Sequence, residues 1–176
     1  RGAAVLGVDA SAALVAEAER PPERVGERAA DGDAGAPGAR ARFAVLDYAA
    51  LVADDAAAAG PFDLVVCNFA LLGDPVAPLL AAVSRRLAPG GRLVIQTVHP
   101  WTAAGDGPYV AGWRTETFAA FAVPFPAAMP WYFRPLGDWV AALADGGLRL
   151  EALHEPLHPE TGRPLSLLLV ATAARG

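Results

Sequence analysis

The sequence contains no lysine, and all 14 of its basic side chains are arginines scattered over 176 residues. Only Arg85 and Arg86 are adjacent, so there is no basic stripe that could follow a phosphate backbone. The formal net charge is -5. We therefore expect no nucleic-acid substrate.

Cysteine is almost as scarce, because Cys67 is the only one. A single thiol excludes a disulfide within the chain and a zinc site built from several thiolates. The apolar residues around it predict a buried, inert thiol. No apolar run approaches the roughly 18 residues of a membrane span. The first apolar stretch soon meets Asp9, unlike a signal peptide. The sequence indicates a soluble, cytoplasmic protein without a membrane partner.

Apolar runs alternate with helical patterns along the chain. Strands are predicted over residues 3–8, 43–46, 62–67, 92–98, 148–154 and 165–173. Helices are predicted over 11–20, from an N-cap at Asp74 to Pro89-Gly90-Gly91, and over 136–145 up to Gly146-Gly147. This alternation predicts an α/β fold, with a mostly parallel sheet and helices on both faces. Only a turn separates the last two strands, so we expect an antiparallel strand at the C-terminal edge.

We predict one domain, 1–176. Two segments within it show no steady hydrophobic periodicity. Residues 21–41 hold almost no large apolar side chain and predict a mobile loop. Residues 99–133 are rich in aromatic residues and proline. A connection of this length is usually functional, so we predict a substrate-side insertion.

Three successive predicted strands end in a polar residue, namely Asp9, Asp47 and Asn68. In parallel sheets, ligands bind beyond the carboxyl ends of the strands. One carboxylate there can accept the hydroxyls of a ribose, and a second can accept the amine of an adenine. The alternative for each residue is structural, because Asp and Asn also favour strand ends and helix caps.

Four motifs in this order resemble the class I SAM-dependent methyltransferases. Val5-Leu6-Gly7-Val8-Asp9-Ala10-Ser11 is similar to the family's second strand, and Phe43-Ala44-Val45-Leu46-Asp47-Tyr48 to its third. Pro61-Phe62-Asp63-Leu64-Val65-Val66-Cys67-Asn68 is similar to the fourth-strand motif. The most specific match is Leu87-Ala88-Pro89-Gly90-Gly91-Arg92-Leu93-Val94-Ile95, which resembles the entry into the fifth strand. The resemblance covers the chain from residue 3 to its end.

The resemblance implies S-adenosyl-L-methionine (SAM) as cofactor and a small-molecule methyl acceptor, with transfer to oxygen, nitrogen or carbon. It implies cofactor contacts at the strand ends: Asp9 and Ala10 near the ribose, Asp47 and Tyr48 near adenine, and Asn68 and Phe69 near the methionine end.

The chain departs from the family at its start. The family's first strand ends in a glycine-rich turn of GxGxG type, and this sequence begins after that turn. We expect an N-terminally incomplete fragment that lacks a central strand and binds SAM poorly as it stands. A gap in the sheet would favour association, so a homo-oligomer is a further expectation.

The predicted contacts with the methyl acceptor depend on individual residues rather than on a motif. His99 follows the fifth-strand motif and could act as a base or orient the acceptor; the alternative is a loop histidine that bonds nearby backbone. Trp101, Trp131 and Tyr132 could line an aromatic pocket, or belong to a satellite core. Arg134 could grip an anionic substrate, or be a solvated charge at a helix entry. His154, Glu155 and His158 lack the spacing of a metal site, and no metal is expected.

Two rival functions stay open. A nicotinamide-dependent oxidoreductase could also bind a ribose through Asp9. The Pro89-Gly90-Gly91 entry, the antiparallel last strand and the absence of a Tyr-x-x-x-Lys pair argue against it. A non-catalytic binding or partner module is the second rival, which the missing glycine turn favours.

Overall fold

The computed structural model describes residues 2–20, 40–53, 56–116 and 128–174. The chain separates into two compact units, Arg1–Ala59 and Gly60–Gly176. The predicted mobile loop lies outside the described residues, apart from residues 40 and 41, which belong to a strand. Within the described ranges, no helix is long and apolar enough to cross a membrane.

The first unit is built on a parallel strand pair, β1 (Ala4–Asp9) and β2 (Arg40–Val45). Helix α1 (Ala12–Ala18) follows β1. A short helix α2 (Tyr48–Val52) and a 3-10 turn (Ala56–Ala58) complete the unit.

Ser11 caps α1 as predicted, because its hydroxyl accepts a hydrogen bond from the backbone N–H of Leu14 at 3.3 Å. Such a cap satisfies one of the amide groups that the first helical turn leaves unpaired.

The second unit contains a four-stranded sheet in the order β3-β4-β8-β7. Its strands are β3 (Phe62–Asn68), β4 (Leu87–Val98), β7 (Leu148–His154) and β8 (Ser166–Ala173). Strands β3 and β4 are parallel, and β8 runs antiparallel to both of its neighbours. The predicted antiparallel strand is therefore confirmed as β8, although it lies inside the sheet and β7 forms the edge.

Helices α3 (Ala77–Arg86) and α5 (Leu136–Asp145) pack against one face of this sheet. That face holds the core, where Leu93, Ile95 and Leu169 are at most 1% exposed. Helix α5 has the predicted bounds and ends at Gly146-Gly147 as expected.

The predicted start of α3 is wrong. The helix begins at Ala77 after Val76, which provides no side-chain cap. The carboxylate of Asp74 accepts a hydrogen bond from Arg134 at 3.0 Å. A tertiary contact thus replaces the local one.

The predicted boundary at Pro89-Gly90-Gly91 is also different. Helix α3 ends at Arg86, and β4 begins at Leu87, so this tripeptide lies inside the strand. The pairing of β4 with β3 is irregular at this point. A Cβ on Gly91 would lie 2.6 Å from the carbonyl oxygen of Phe62, which explains the need for glycine.

Residues 99–133 contain more regular structure than predicted. Helix α4 (Pro100–Ala104) follows β4, and β5 (Gly112–Glu116) pairs antiparallel with β6 (Met129–Phe133). The aromatic residues Phe118, Phe121 and Phe125 lie outside the described residues.

Candidate functional site

In the first unit, Asp9 and Asp47 stand at the same end of adjacent parallel strands. Asp9 closes β1, and its carbonyl oxygen accepts a hydrogen bond from the backbone N–H of Leu46 at 3.0 Å, one residue before Asp47. Both side chains are exposed. The predicted proximity of the two carboxylates follows from the parallel pairing.

Each of these carboxylates also has a structural role. One oxygen of Asp9 accepts from the backbone N–H of Ser11, and one oxygen of Asp47 from that of Ala50, both at 2.7 Å. Asp47 is thereby the N-cap of α2. A carboxylate offers two oxygens and about four acceptor sites, so both residues can still accept hydrogen bonds from a ligand.

A cavity of about 260 Å³ lies beside Asp9 in the same unit. Its walls are otherwise formed mainly by apolar side chains: Val8, Leu14, Val15, Ala18 and Phe43. Ala10 and Tyr48 are exposed residues that directly follow the two carboxylates in sequence.

In the second unit, Asn68 and Phe69 stand at the carboxyl end of β3. Asn68 pairs with Gln96 of β4, and the N–H of Phe69 donates to the carbonyl oxygen of Gln96 at 2.8 Å. Phe69 has a φ of 48° and an exposed side chain. A bulky residue in this left-handed region is strained, and such strain clusters at ligand sites.

His99 lies just beyond β4 and is buried, with both ring nitrogens engaged. Its Nδ1 accepts from the backbone N–H of Trp101 at 3.2 Å, and its Nε2 lies 2.8 Å from Oε1 of Glu155. These partners assign the proton to Nε2, which donates to Glu155. The bond to backbone corresponds to the alternative role considered for His99, and a base would need a free nitrogen.

The contact between His99 and Glu155 was not predicted from the sequence, which suggested Glu155 only as a metal ligand, a role that was rejected. Glu155 directly follows β7, whose carboxyl end lies at the same sheet edge as that of β4 because both strands are antiparallel to β8. The rule that singled out Asp9 could therefore have found it. Within the described ranges, no group of three or more His, Cys, Asp or Glu side chains is arranged to hold a metal ion.

The predicted aromatic contacts are not brought together. Trp131 and Tyr132 are consecutive in β6, so their side chains point to opposite faces. Trp131 contacts Phe133 edge to face at a ring distance of 6.0 Å, whereas Tyr132 contacts Trp113 at 5.5 Å. Phe133 is buried, as in the satellite-core alternative, whereas Trp101 is 71% exposed.

Arg134 is buried, and its guanidinium group forms hydrogen bonds within the protein. Its Nη2 donates to the carbonyl oxygen of Gly73 and to Asp74. It lines a cavity of about 240 Å³ that also holds Asp74, Asp138 and Asp145. An acidic lining of this kind does not favour the predicted anionic substrate.

The thiol of Cys67 is half-buried on β3. Burial raises the pKa of Cys67 to about 11, because desolvation disfavours the thiolate. The group is therefore protonated at neutral pH, in agreement with the predicted inert thiol.

No protein-family model matches the sequence, and no curated protein matches it. Solved structures do resemble the fold. A SAM-dependent methyltransferase from Methanosarcina mazei is 15% identical, with a TM-score of 0.66 over 98% of this chain and 83% of that one. An S-adenosylmethionine dependent methyltransferase from Mesorhizobium loti is 24% identical, with a TM-score of 0.58 over 94% of this chain and 78% of that one.

A third neighbour is the magnesium protoporphyrin IX methyltransferase of Synechocystis PCC 6803 with bound S-adenosylhomocysteine (SAH). It is 20% identical, with a TM-score of 0.58 over 98% of this chain and 64% of that one. The chain has the class I SAM-dependent methyltransferase fold. At these identities the likeness confirms the predicted α/β fold, which is also the fold that the sequence motifs imply, and it shows nothing beyond the fold.

Proposed function

We propose that this methyltransferase-fold chain belongs to an enzyme that transfers the methyl group of SAM to oxygen, nitrogen or carbon of a small metabolite. The observation that carries the proposal is the pair Asp9 and Asp47, which end adjacent parallel strands with exposed carboxylates. The Synechocystis neighbour, named for a small-molecule substrate, supports the same class of acceptor.

The residues of the first unit fit the adenosine part of SAM. Asp9, followed by Ala10, would accept hydrogen bonds from the ribose hydroxyls, and Asp47, followed by Tyr48, would accept from the adenine amine. The apolar cavity beside Asp9 offers a surface for a flat ring. Such a site is mostly apolar with a few orienting polar groups, as ligand sites generally are.

For Asn68 and Phe69 of the second unit, we retain the role that the sequence resemblance implies, at the methionine part of the cofactor. When bound, SAM supplies an activated methyl group, and the protein's contribution is mainly to hold the acceptor in line with it. We assign His99 to positioning, because both of its ring nitrogens are already bonded. Of the predicted aromatic contacts, Trp101 has the most accessible side chain, and we expect it to contact the acceptor.

The other predicted substrate contacts have narrower roles. Trp131 and Tyr132 point to opposite faces of β6, so we expect only one of them to face an acceptor. Arg134 would act indirectly, by holding Gly73 and Asp74.

A nicotinamide enzyme remains the weaker rival, and a binding module without activity is the other. We retain the cytoplasmic location as a prediction from composition, and the homo-oligomer as a prediction from the expected gap in the sheet.

Calorimetric titration with SAM and SAH tests the proposal, using this chain beside one extended by its natural upstream residues. Binding by the extended chain alone would support a methyltransferase whose cofactor loop lies upstream. If neither folded chain binds either compound, the enzyme assignment fails and the fold alone stands. Binding of NAD in place of SAH would favour the oxidoreductase.

A further inference from the structure

His99 and Glu155 form an ordered pair that joins two strand ends of the second unit. The backbone around the pair is held on both sides. The N–H of His99 donates to the carbonyl oxygen of Leu165 at 3.3 Å, and the N–H of Leu165 donates to that of Pro156 at 2.8 Å. Glu155 is thus fixed through its side chain and through the residue that follows it.

The two partners differ in what they can offer to a solute. The His99 side chain is 6% exposed and uses both nitrogens, whereas the Glu155 side chain is 48% exposed and uses one carboxylate oxygen toward His99. A carboxylate has two oxygens, so Glu155 keeps accepting capacity toward solvent. Of the pair, only Glu155 can touch a bound molecule.

We propose that Glu155 is the catalytic residue that contacts the methyl acceptor and takes up its proton, and that His99 is a positioning residue for Glu155. This inference rests on the proposed function. A carboxylate can bind and remove the proton of an N–H or O–H group, and we assign the acceptor to the amines and hydroxyl compounds. A carboxylate acceptor, which carries no proton at neutral pH, is excluded.

The proton and electron balance is complete. The lone pair of the acceptor nitrogen or oxygen forms the new bond to the methyl carbon, and the methyl–sulfur bond breaks with its electron pair remaining on sulfur. The acceptor's proton passes to the carboxylate of Glu155. Since this side chain is half exposed, the proton can then leave to water.

The experiment compares the wild-type chain with Glu155→Gln and the matched control Glu160→Gln. Glutamine keeps an oxygen that can accept from Nε2 of His99 but cannot take a proton, and Glu160 is an exposed glutamate of the following turn. The first measurement needs no SAM: ¹⁵N-histidine NMR during titration with benzylamine, and with benzoate for comparison. We expect benzylamine to move the His99 Nε2 signal in wild type and in Glu160→Gln, but not in Glu155→Gln.

The second measurement is methyl transfer to benzylamine, tyramine, catechol and benzoate, with SAM binding followed calorimetrically in the same samples. We expect Glu155→Gln to lower kcat by about 10²- to 10⁴-fold with little change in KM. Added acetate should restore part of the rate of Glu155→Ala, which a purely structural role would not allow.

The outcomes separate this inference from the proposed function. Absence of SAM binding by every form, each also measured with the natural upstream residues added, defeats the proposed function. If SAM binds, the inference is overturned by an unchanged kcat in Glu155→Gln, by benzoate as the better acceptor, or by failure to methylate any of the four compounds. An unmoved His99 signal in the wild type, or an equal shift in Glu155→Gln, also overturns it.

Discussion

One face of the four-stranded sheet packs against α3 and α5, whereas the opposite face of the same strands stays partly open. On the packed face, Leu93 and Leu169 have no exposed surface, and on the opposite face Leu64 and Val66 of β3 are 55% and 58% exposed. Both faces belong to the same strands, and side chains point alternately to the packed face and to the open face. The comparison shows where the stability of this unit resides, and it can be tested by substitutions on each face.

The largest effect is expected from shortening a core residue. Leu169→Ala should lower the free energy of unfolding by about 2–5 kcal/mol, because it removes buried methyl groups and leaves a cavity. Val66→Ala, on the open face, should cost less than about 1 kcal/mol. Urea unfolding followed by circular dichroism measures both, and equal losses would contradict the difference between the faces.

Filling the close approach between α3 and the end of α5 should have the next largest effect. A Cβ on Gly146 would lie 2.6 Å from Cβ of Leu80. Gly146→Ala should therefore destabilise the chain by about 1–3 kcal/mol. Gly137, near the start of α5, has open space around it. Gly137→Ala should be neutral or stabilising by up to about 1 kcal/mol. Melting temperatures that fall equally would disprove the steric argument.

The packed face should also suppress thiol chemistry. Cys67 lies on that face, beside Ile95 in the register, and its pKa of about 11 leaves little thiolate at pH 8. Its alkylation by iodoacetamide should be at least about 10-fold slower than that of the urea-unfolded chain, after allowing for the higher nucleophilicity of a more basic thiolate. Mass spectrometry gives both rates, and equal rates would show that the thiol is accessible and ionised.

We expect the smallest effect on stability from a substitution on the open face. Arg92 donates a hydrogen bond to Glu151 at 3.1 Å, and this contact is the main reason why the pKa of Glu151 is lowered. Arg92→Gln should raise that pKa toward its ordinary value, with no measurable loss of stability at pH 7 because exposed ion pairs contribute little. An NMR titration of the Glu151 carboxyl measures the change. Arg163→Gln, in a distant turn, should leave it unaltered.

Much of this fold could be predicted because its strands and helix ends are marked locally. Helix α5 has an apolar face and a double-glycine stop, and its predicted bounds agree with the structure. The predicted cap at Asp74 is wrong, and its carboxylate bonds Arg134, 60 residues away in sequence, a contact that no local pattern shows. The hairpin of β5 and β6 was missed because its aromatic and proline residues show no period.

The geometry of the candidate site could likewise be predicted only in part. The proximity of Asp9 and Asp47 follows from a general rule for parallel strands, so the sequence was sufficient. The same rule could have found Glu155, but its pairing with His99, 56 positions earlier in the sequence, is not marked by any local pattern. The engagement of both ring nitrogens of His99 likewise depends on the folded loop.

The central claim is that the strand-end carboxylates of a methyltransferase fold bind SAM. Its most direct test is the affinity for SAH of Asp9→Asn and of the control Asp63→Asn, measured by calorimetry in the chain or in its upstream-extended form. We expect Asp9→Asn to bind SAH about 10-fold or more weakly, because a hydrogen bond to a charged group contributes about 1.5–3 kcal/mol. Asp63→Asn, at the amino end of β3, should leave the affinity unchanged. Equal affinity of Asp9→Asn and the unsubstituted chain, or no SAH binding by either form, would contradict it.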